Sequence, residues 1–138
     1  MKAAAIRAVL LLGIFYCAVG LLFGILAGQA GSTEMRIVWR RAAWVVSAIA
    51  FEAHLVYDQV RLGGSPRLTA LRVSSAAALG AFGLAVAANI HARSVAPDER
   101  SPILLASLAI WPVMTAVPAF VVALVSAMVL DRARRHLE

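Results

Sequence analysis

Four long apolar stretches constrain this chain more than any other feature of its sequence. A helix of about 20 apolar residues crosses a hydrocarbon core of about 30 Å. The stretches are Ala8–Gly28, Ala42–Val60, Val73–Ile90 and Ile103–Leu130. Of the 138 residues, 62% are hydrophobic and 14% charged, whereas soluble domains are about half apolar and about one quarter charged. The sequence therefore predicts an all-α integral membrane protein, with four transmembrane helices in one up-down bundle spanning residues 1–138.

The first apolar stretch is predicted to be a retained helix. A basic start followed by an apolar run also resembles a secretory signal peptide, whose apolar region spans about 7–15 residues. Residues 8–27 form a run of twenty uncharged residues, which is too long for such a region and long enough to span a bilayer.

Glycine and proline residues mark the predicted helix ends. Gly63-Gly64 follows the second stretch, where left-handed backbone favours glycine. Ser65-Pro66 opens the third helix, because serine caps a helix and proline suits its first turn. Pro112 and Pro118 lie inside the fourth stretch and are predicted to bend that helix.

The basic residues divide unequally between the two sides of the predicted bundle. Eight lie on the side that holds both chain ends, and five lie on the other. Basic residues are in excess in cytoplasmic segments, so we expect both termini in the cytoplasm and the chain in the cytoplasmic (inner) membrane of a bacterium. Tryptophan side chains prefer the interface, and Trp39, Trp44 and Trp111 fall toward the outer one. The eight are Lys2, Arg7, Arg61, Arg67, Arg72, Arg132, Arg134 and Arg135, and the five are Arg36, Arg40, Arg41, Arg93 and Arg100.

Small residues form a stripe on the first helix. Gly20, Gly24 and Gly28 make a double GxxxG pattern, which lets two membrane helices approach closely. Two interpretations stay open. The stripe packs against another helix of the same bundle, or it forms a homodimer interface between two chains.

The second stretch is the only one with charges inside it. Glu52 and His54 lie within about 5 Å of its midpoint at 1.5 Å per residue. His54, Asp58 and Arg61 share one helical face at i, i+4 and i+7, and Glu52 points to nearly the opposite side. We expect a hydrogen bond between His54 and Asp58 and an ion pair between Asp58 and Arg61.

These polar residues are the candidates for a solute- or proton-binding site. A charge at mid-bilayer costs about 2.5–3.5 kcal/mol on insertion scales, so such residues are often functional. Tyr16 and Thr115 fall near the depth of Glu52 and His54, and Ser74 and Ser75 fall near that of Asp58. The predicted site comprises Glu52, His54, Asp58, Tyr57, Tyr16 and Thr115.

Several classes of function lack their signatures in this sequence. It has no HExxH, GxSxG, Walker or CxxC motif, so no catalytic residue, metal site or cofactor is predicted. Haem held by two histidines requires a second intramembrane histidine, whereas His91 and His136 fall at helix ends. Basic residues without interleaved aromatic residues also argue against nucleic-acid binding.

Three functions remain as hypotheses. The leading one is a small oligomeric protein that binds or moves a small solute or proton through the polar site on the second helix. The alternative is a non-catalytic accessory or assembly subunit of a larger membrane complex, in which partner helices cover the exposed faces. The third is a small lipid-modifying enzyme with Glu52 and His54 as acid and base.

Overall fold

The chain folds into four α-helices joined by short turns. The structure, a computed structural model, describes residues 3–95 and 102–135. Helix α1 spans Ala3–Gly28, α2 Thr33–Arg61, α3 Pro66–Val95 and α4 Pro102–Arg135, and the described residues contain no strand. The predicted all-α architecture is therefore confirmed.

Three of the helices are long and apolar enough to cross a membrane. They are α1, α3 and the Pro102–Ala133 part of α4, and they make this a membrane-embedded protein. Helix α2 has 29 residues, which is sufficient length, but the polar side chains in its carboxyl half lower its mean hydropathy. A fourth span at α2 stays a prediction.

Two helices begin well before their apolar stretches. The Ser32 hydroxyl accepts a hydrogen bond of 3.2 Å from the Met35 amide, and Glu34 lies in the first turn of α2, where the helix dipole favours an acidic side chain. The segment that carries Arg36 is consequently helical. Helix α3 likewise begins at Pro66, seven residues before its apolar stretch begins at Val73.

The turn between α2 and α3 has the expected glycine. Gly63 has a φ of +60°, a left-handed conformation that costs other L-residues about 1 kcal/mol or more. Proline opens α3 as predicted, and α4 also begins at a proline, Pro102. Helix α4 continues through Pro112 and Pro118.

Helix α3 occupies the centre of the bundle. It packs most extensively against α4 and then against α1, whereas α2 packs mainly on α1 and less on α3 and α4. Helices α1 and α4 are not in contact. A small buried core of Leu55, Ala70, Val73 and Ala123 joins α2, α3 and α4. Large apolar side chains cover the outer surface, as expected where lipid is the solvent.

Helices α1 and α3 cross at glycine residues. A Cβ atom on Gly80 would lie 2.5 Å from the Tyr16 Cβ atom and 3.2 Å from the Gly13 carbonyl oxygen. A Cβ atom on Gly20 would lie 2.6 Å from a Leu84 methyl group. Close backbone approach therefore requires glycine here.

The glycines of the predicted stripe lie partly inside the bundle and partly on its open surface. Gly20 faces α3 inside the bundle, whereas Gly24 and Gly28 have no atom of another helix within 4 Å of a built Cβ position. The interpretation as packing within one bundle thus applies to Gly20 alone.

Candidate functional site

A buried ion pair joins the carboxyl end of α2 to the first turns of α3. Arg72 Nη1 lies 3.2 Å from both Asp58 Oδ1 and Asp58 Oδ2. The two side chains are 6% and 1% exposed. Both charges are thus out of contact with solvent and lipid, and each depends on the other for its electrostatic stabilisation.

Neighbouring groups complete the hydrogen bonding of this carboxylate. Thr69 Oγ1 lies 2.8 Å from Asp58 Oδ2 and 3.1 Å from Gln59 Oε1. A hydroxyl has one proton to donate, and the shorter, charge-assisted contact to Asp58 is the stronger. A Cβ atom on Gly64 would lie 3.2 Å from Asp58 Oδ2, so the turn covers the ion pair closely. We call Asp58, Gln59, Thr69 and Arg72 the polar cluster.

His54 lies one turn before the polar cluster on the same face of α2. It is 2% exposed, and neither ring nitrogen has a hydrogen-bond partner in the described chain. Asp58 and Arg72 are both within electrostatic range of its ring. Two further buried polar atoms without a partner are the Tyr16 hydroxyl and Arg72 Nε.

Two predicted contacts are wrong. Asp58 pairs with Arg72 across the turn and not with Arg61, which is exposed, because only an arginine on the facing helix reaches both oxygens in the core. The expected hydrogen bond between His54 and Asp58 is also absent from the described chain.

Ser74 and Ser75, placed by the sequence near the depth of Asp58, form hydrogen bonds within their own helix. Ser74 and Ser75 both donate to the Leu71 carbonyl, at 3.2 Å and 2.6 Å. Their hydroxyls are therefore used within their own helix. They do not reach Asp58.

The remaining predicted site residues are not brought together. Glu52 is exposed on the outer surface of α2, opposite His54, and Tyr57 is also exposed. Tyr16 on α1 and Thr115 on α4 lie on helices that are not in contact. The polar residues of α2 consequently divide into a buried set that faces α3 and an outer set that contains Glu52.

Sequence reasoning missed Arg72 and Thr69 as members of the site, because both lie before the third apolar stretch, which begins at Val73. Their spacing of three residues places both on one face of a helix that starts at Pro66. The Ser65-Pro66 helix start was the signal for this, since it requires the helix to begin before the apolar stretch. Gln59, one residue after Asp58, was visible as a polar residue in the same segment.

A second polar contact fastens α3 to α4 at the other end of the bundle. Asn89 is buried, and its Nδ2 atom donates to the carbonyl oxygens of Ala85 and Leu104, both at 2.8 Å. Ser107 Oγ lies 3.3 Å from the same atom. An amide that satisfies a carbonyl of the adjacent helix stabilises helix pairs in lipid.

Two open grooves lie between α1 and α2, one toward each end. One is lined by Arg7, Leu11, Leu12 and Tyr57 among others. The other is lined by Gly24, Gly28, Arg36, Arg40 and Trp44 among others. Neither groove is lined by Glu52, His54 or Asp58.

In the polar cluster, the Asp58 carboxylate is buried and accepts hydrogen bonds from Arg72 and Thr69. No three histidine, cysteine, aspartate or glutamate side chains in the described residues could together hold a metal ion. In comparisons with protein-family models, curated proteins and solved structures, this chain has no significant match. Its geometry is that of a membrane-embedded helical bundle with a buried ion pair between α2 and α3 and an exposed acidic residue, Glu52, on α2.

Proposed function

We propose that this protein is a non-catalytic membrane subunit that assembles through the outer face of α2, with a second copy of the chain as its partner. The observation that carries this proposal is the position of Glu52. Glu52 lies about two-thirds of the way along α2 on the outer surface of the bundle, and with α2 as the predicted fourth span a single chain would expose its carboxyl group to hydrocarbon.

The surface around Glu52 has the spacing of a helix–helix interface. Val45, Ile49, Val56 and Val60 are all exposed and follow one another with Glu52 at intervals of four, three, four and four residues. Such a pattern places all five on one face of the helix. We call this row the α2 outer face.

A second copy satisfies the Glu52 carboxyl group in a way that lipid does not. An ionised carboxylate in hydrocarbon is costly, whereas a protonated carboxyl group both donates and accepts a hydrogen bond. Residues at the axis of a two-fold symmetric contact meet their own equivalents, so two Glu52 side chains at that axis form a reciprocal pair. The Glu52 carboxyl group is then the group by which each copy recognises α2 of the other.

The packing of the buried residues supports an assembly role over a transport role. The Asp58 carboxylate is fully engaged by Arg72 and Thr69, and the two grooves described above do not reach it. A carrier requires a path by which solute or protons reach its site. A subunit requires a rigid body that presents a recognition surface.

The oligomeric state of Glu52 variants tests this proposal. In mild detergent, wild-type protein should elute as a dimer or larger species in light scattering. Glu52→Gln should retain this species, because its amide still donates and accepts, and Glu52→Leu should shift it toward the monomer. Glu34→Gln, at the exposed start of α2, is the matched control and should have no effect. A monomeric wild type, or an unshifted Glu52→Leu variant, would exclude this interface.

One observation favours a second function, which is proton binding at His54. This ring is buried with both nitrogens unpartnered, so the nitrogen that carries no proton in the neutral imidazole is free to take one up. Proton flux into liposomes, followed with an entrapped pH-sensitive dye, should then fall in His54→Leu and not in His91→Leu, whose histidine is exposed. Equal flux with and without the protein would rule this function out.

A further inference from the structure

The groove at the α1–α2 turn has the composition of a lipid-binding site. It encloses ≈ 430 Å³ between the carboxyl end of α1 and the amino-terminal half of α2. Both elements meet at the Gln29–Ser32 turn, which places the groove near a membrane–water interface.

The groove exists because two glycines are not used inside the chain. A Cβ atom on Gly24 or Gly28 would have no neighbour within 4 Å, so no other helix covers the face of α1 on which these two glycines lie. Phe23 and Trp39, with ring centroids 6.0 Å apart, connect the two helices beside it. The glycine and alanine residues of α1 therefore form an apolar floor of the groove.

Two arginines supply the polar side of the groove. Arg36 and Arg40 both line it and lie one turn apart on the same face of α2. Neither forms an ion pair within the described residues, and no acidic residue lines the groove. Trp44, 79% exposed, completes the wall with an indole ring of the kind that prefers headgroup depth.

We propose that an anionic phospholipid occupies this groove, with its phosphate bound by Arg36 and Arg40 and an acyl chain over Gly24 and Gly28. Two guanidinium groups one turn apart are opposite in charge to a phosphate group and present the paired N–H donors that bind its oxygens. Basic pockets between membrane helices bind such headgroups.

A second copy of the chain is a poorer occupant of the same groove. Two-fold symmetry would bring the Arg36 and Arg40 side chains of both chains to one place, and four like charges there repel one another. The groove and the α2 outer face are therefore separate surfaces, and the lipid site does not depend on the proposed assembly.

Native mass spectrometry of the full chain in detergent tests the lipid site. Phosphatidylglycerol should bind more tightly than phosphatidylcholine with the same acyl chains. Arg36→Gln and Arg40→Gln should each weaken phosphatidylglycerol binding about fivefold, the amount expected per basic residue near a lipid surface. Arg41→Gln removes an exposed arginine outside the groove lining and should leave binding unchanged.

Two further measurements distinguish the source of the phosphate and the role of the glycines. Gly24→Leu should fill the apolar floor and reduce lipid binding while the helical content by circular dichroism stays the same. Inorganic phosphate should not displace the lipid at equal concentration. Equal binding of the two lipids, an equal loss in Arg41→Gln, or displacement by inorganic phosphate would each overturn the proposal.

Discussion

Arg72 and Asp58 close the α2–α3 hairpin across its turn, with one arginine nitrogen 3.2 Å from both carboxylate oxygens. Fourteen residues separate them in the sequence. The contact holds the carboxyl half of α2, where the buried residues of this helix lie, against α3.

Removing one member of this pair should destabilise the bundle strongly. Asp58→Ala leaves the Arg72 charge buried without a partner, and such a change costs about 3–5 kcal/mol. The free energy of unfolding in detergent measures this loss. Arg61→Ala removes an exposed arginine three residues from Asp58 and should cost less than about 0.5 kcal/mol.

Replacing both members should recover much of that stability. Leucine at both positions 58 and 72 removes the charges together, and well-packed apolar residues often replace a buried pair without loss. A double-mutant cycle gives the coupling free energy. If Asp58→Ala costs no more than Arg61→Ala, the buried ion pair does not exist in the protein.

Alanine substitutions should distinguish a glycine at the α1–α3 crossing from a glycine that no other helix covers. Gly80→Ala places a Cβ atom 3.2 Å from the Gly13 carbonyl oxygen, and backbone cannot yield as a side chain does, so we expect a loss of about 1–3 kcal/mol. Gly24→Ala meets no atom and should be neutral or slightly stabilising in thermal unfolding. Equal effects at both positions would contradict the α1–α3 crossing.

Cysteine cross-linking should locate the proposed interface between copies. With Cys17→Ala as the background, Ile49→Cys on the α2 outer face should give disulfide-linked dimers in membranes treated with a mild oxidant. Val117→Cys, equally exposed on α4, is the matched control and should remain monomeric on non-reducing gels. Cross-linking through position 117 alone would move the interface to α4.

The topology prediction assigns the Gln29–Ser32 turn to the outside. Gly31→Cys, again with Cys17→Ala, should react in intact cells with a maleimide that does not cross membranes. Gly63→Cys, in the opposite turn, is strained by its positive φ, so Ser65→Cys is the better counterpart and should react only after lysis. Labelling of position 65 in intact cells would reverse the orientation.

The fold was predictable from the sequence because lipid imposes one strong rule, that every backbone polar group must be paired within a helix. The apolar stretches consequently identified four helices. Their ends were less predictable, since hydropathy reports where a helix is apolar and not where it begins. Ser32 and Pro66 set the true starts of α2 and α3 through local capping chemistry, beyond the reach of an apolar window.

The candidate site was predictable in part for the same reason. Helical spacing placed His54 and Asp58 on one face and Glu52 on the other, and the burial of these residues agrees with that division. The partner of Asp58 depended on which helix faces it, a tertiary property that no spacing within α2 encodes. Arg72 was not considered as this partner because it lies one residue before the third apolar stretch.

The ion pair also has a consequence for the biosynthesis of this protein. Ribosomes add about 5–20 residues per second, so Asp58 precedes Arg72 by about one to three seconds. During that interval the carboxyl half of α2 carries an uncompensated acidic group. Helices α2 and α3 are thus expected to leave the insertion machinery together. Helix α2 should remain at the lateral opening of that machinery until Arg72, which neutralises Asp58, has been synthesised.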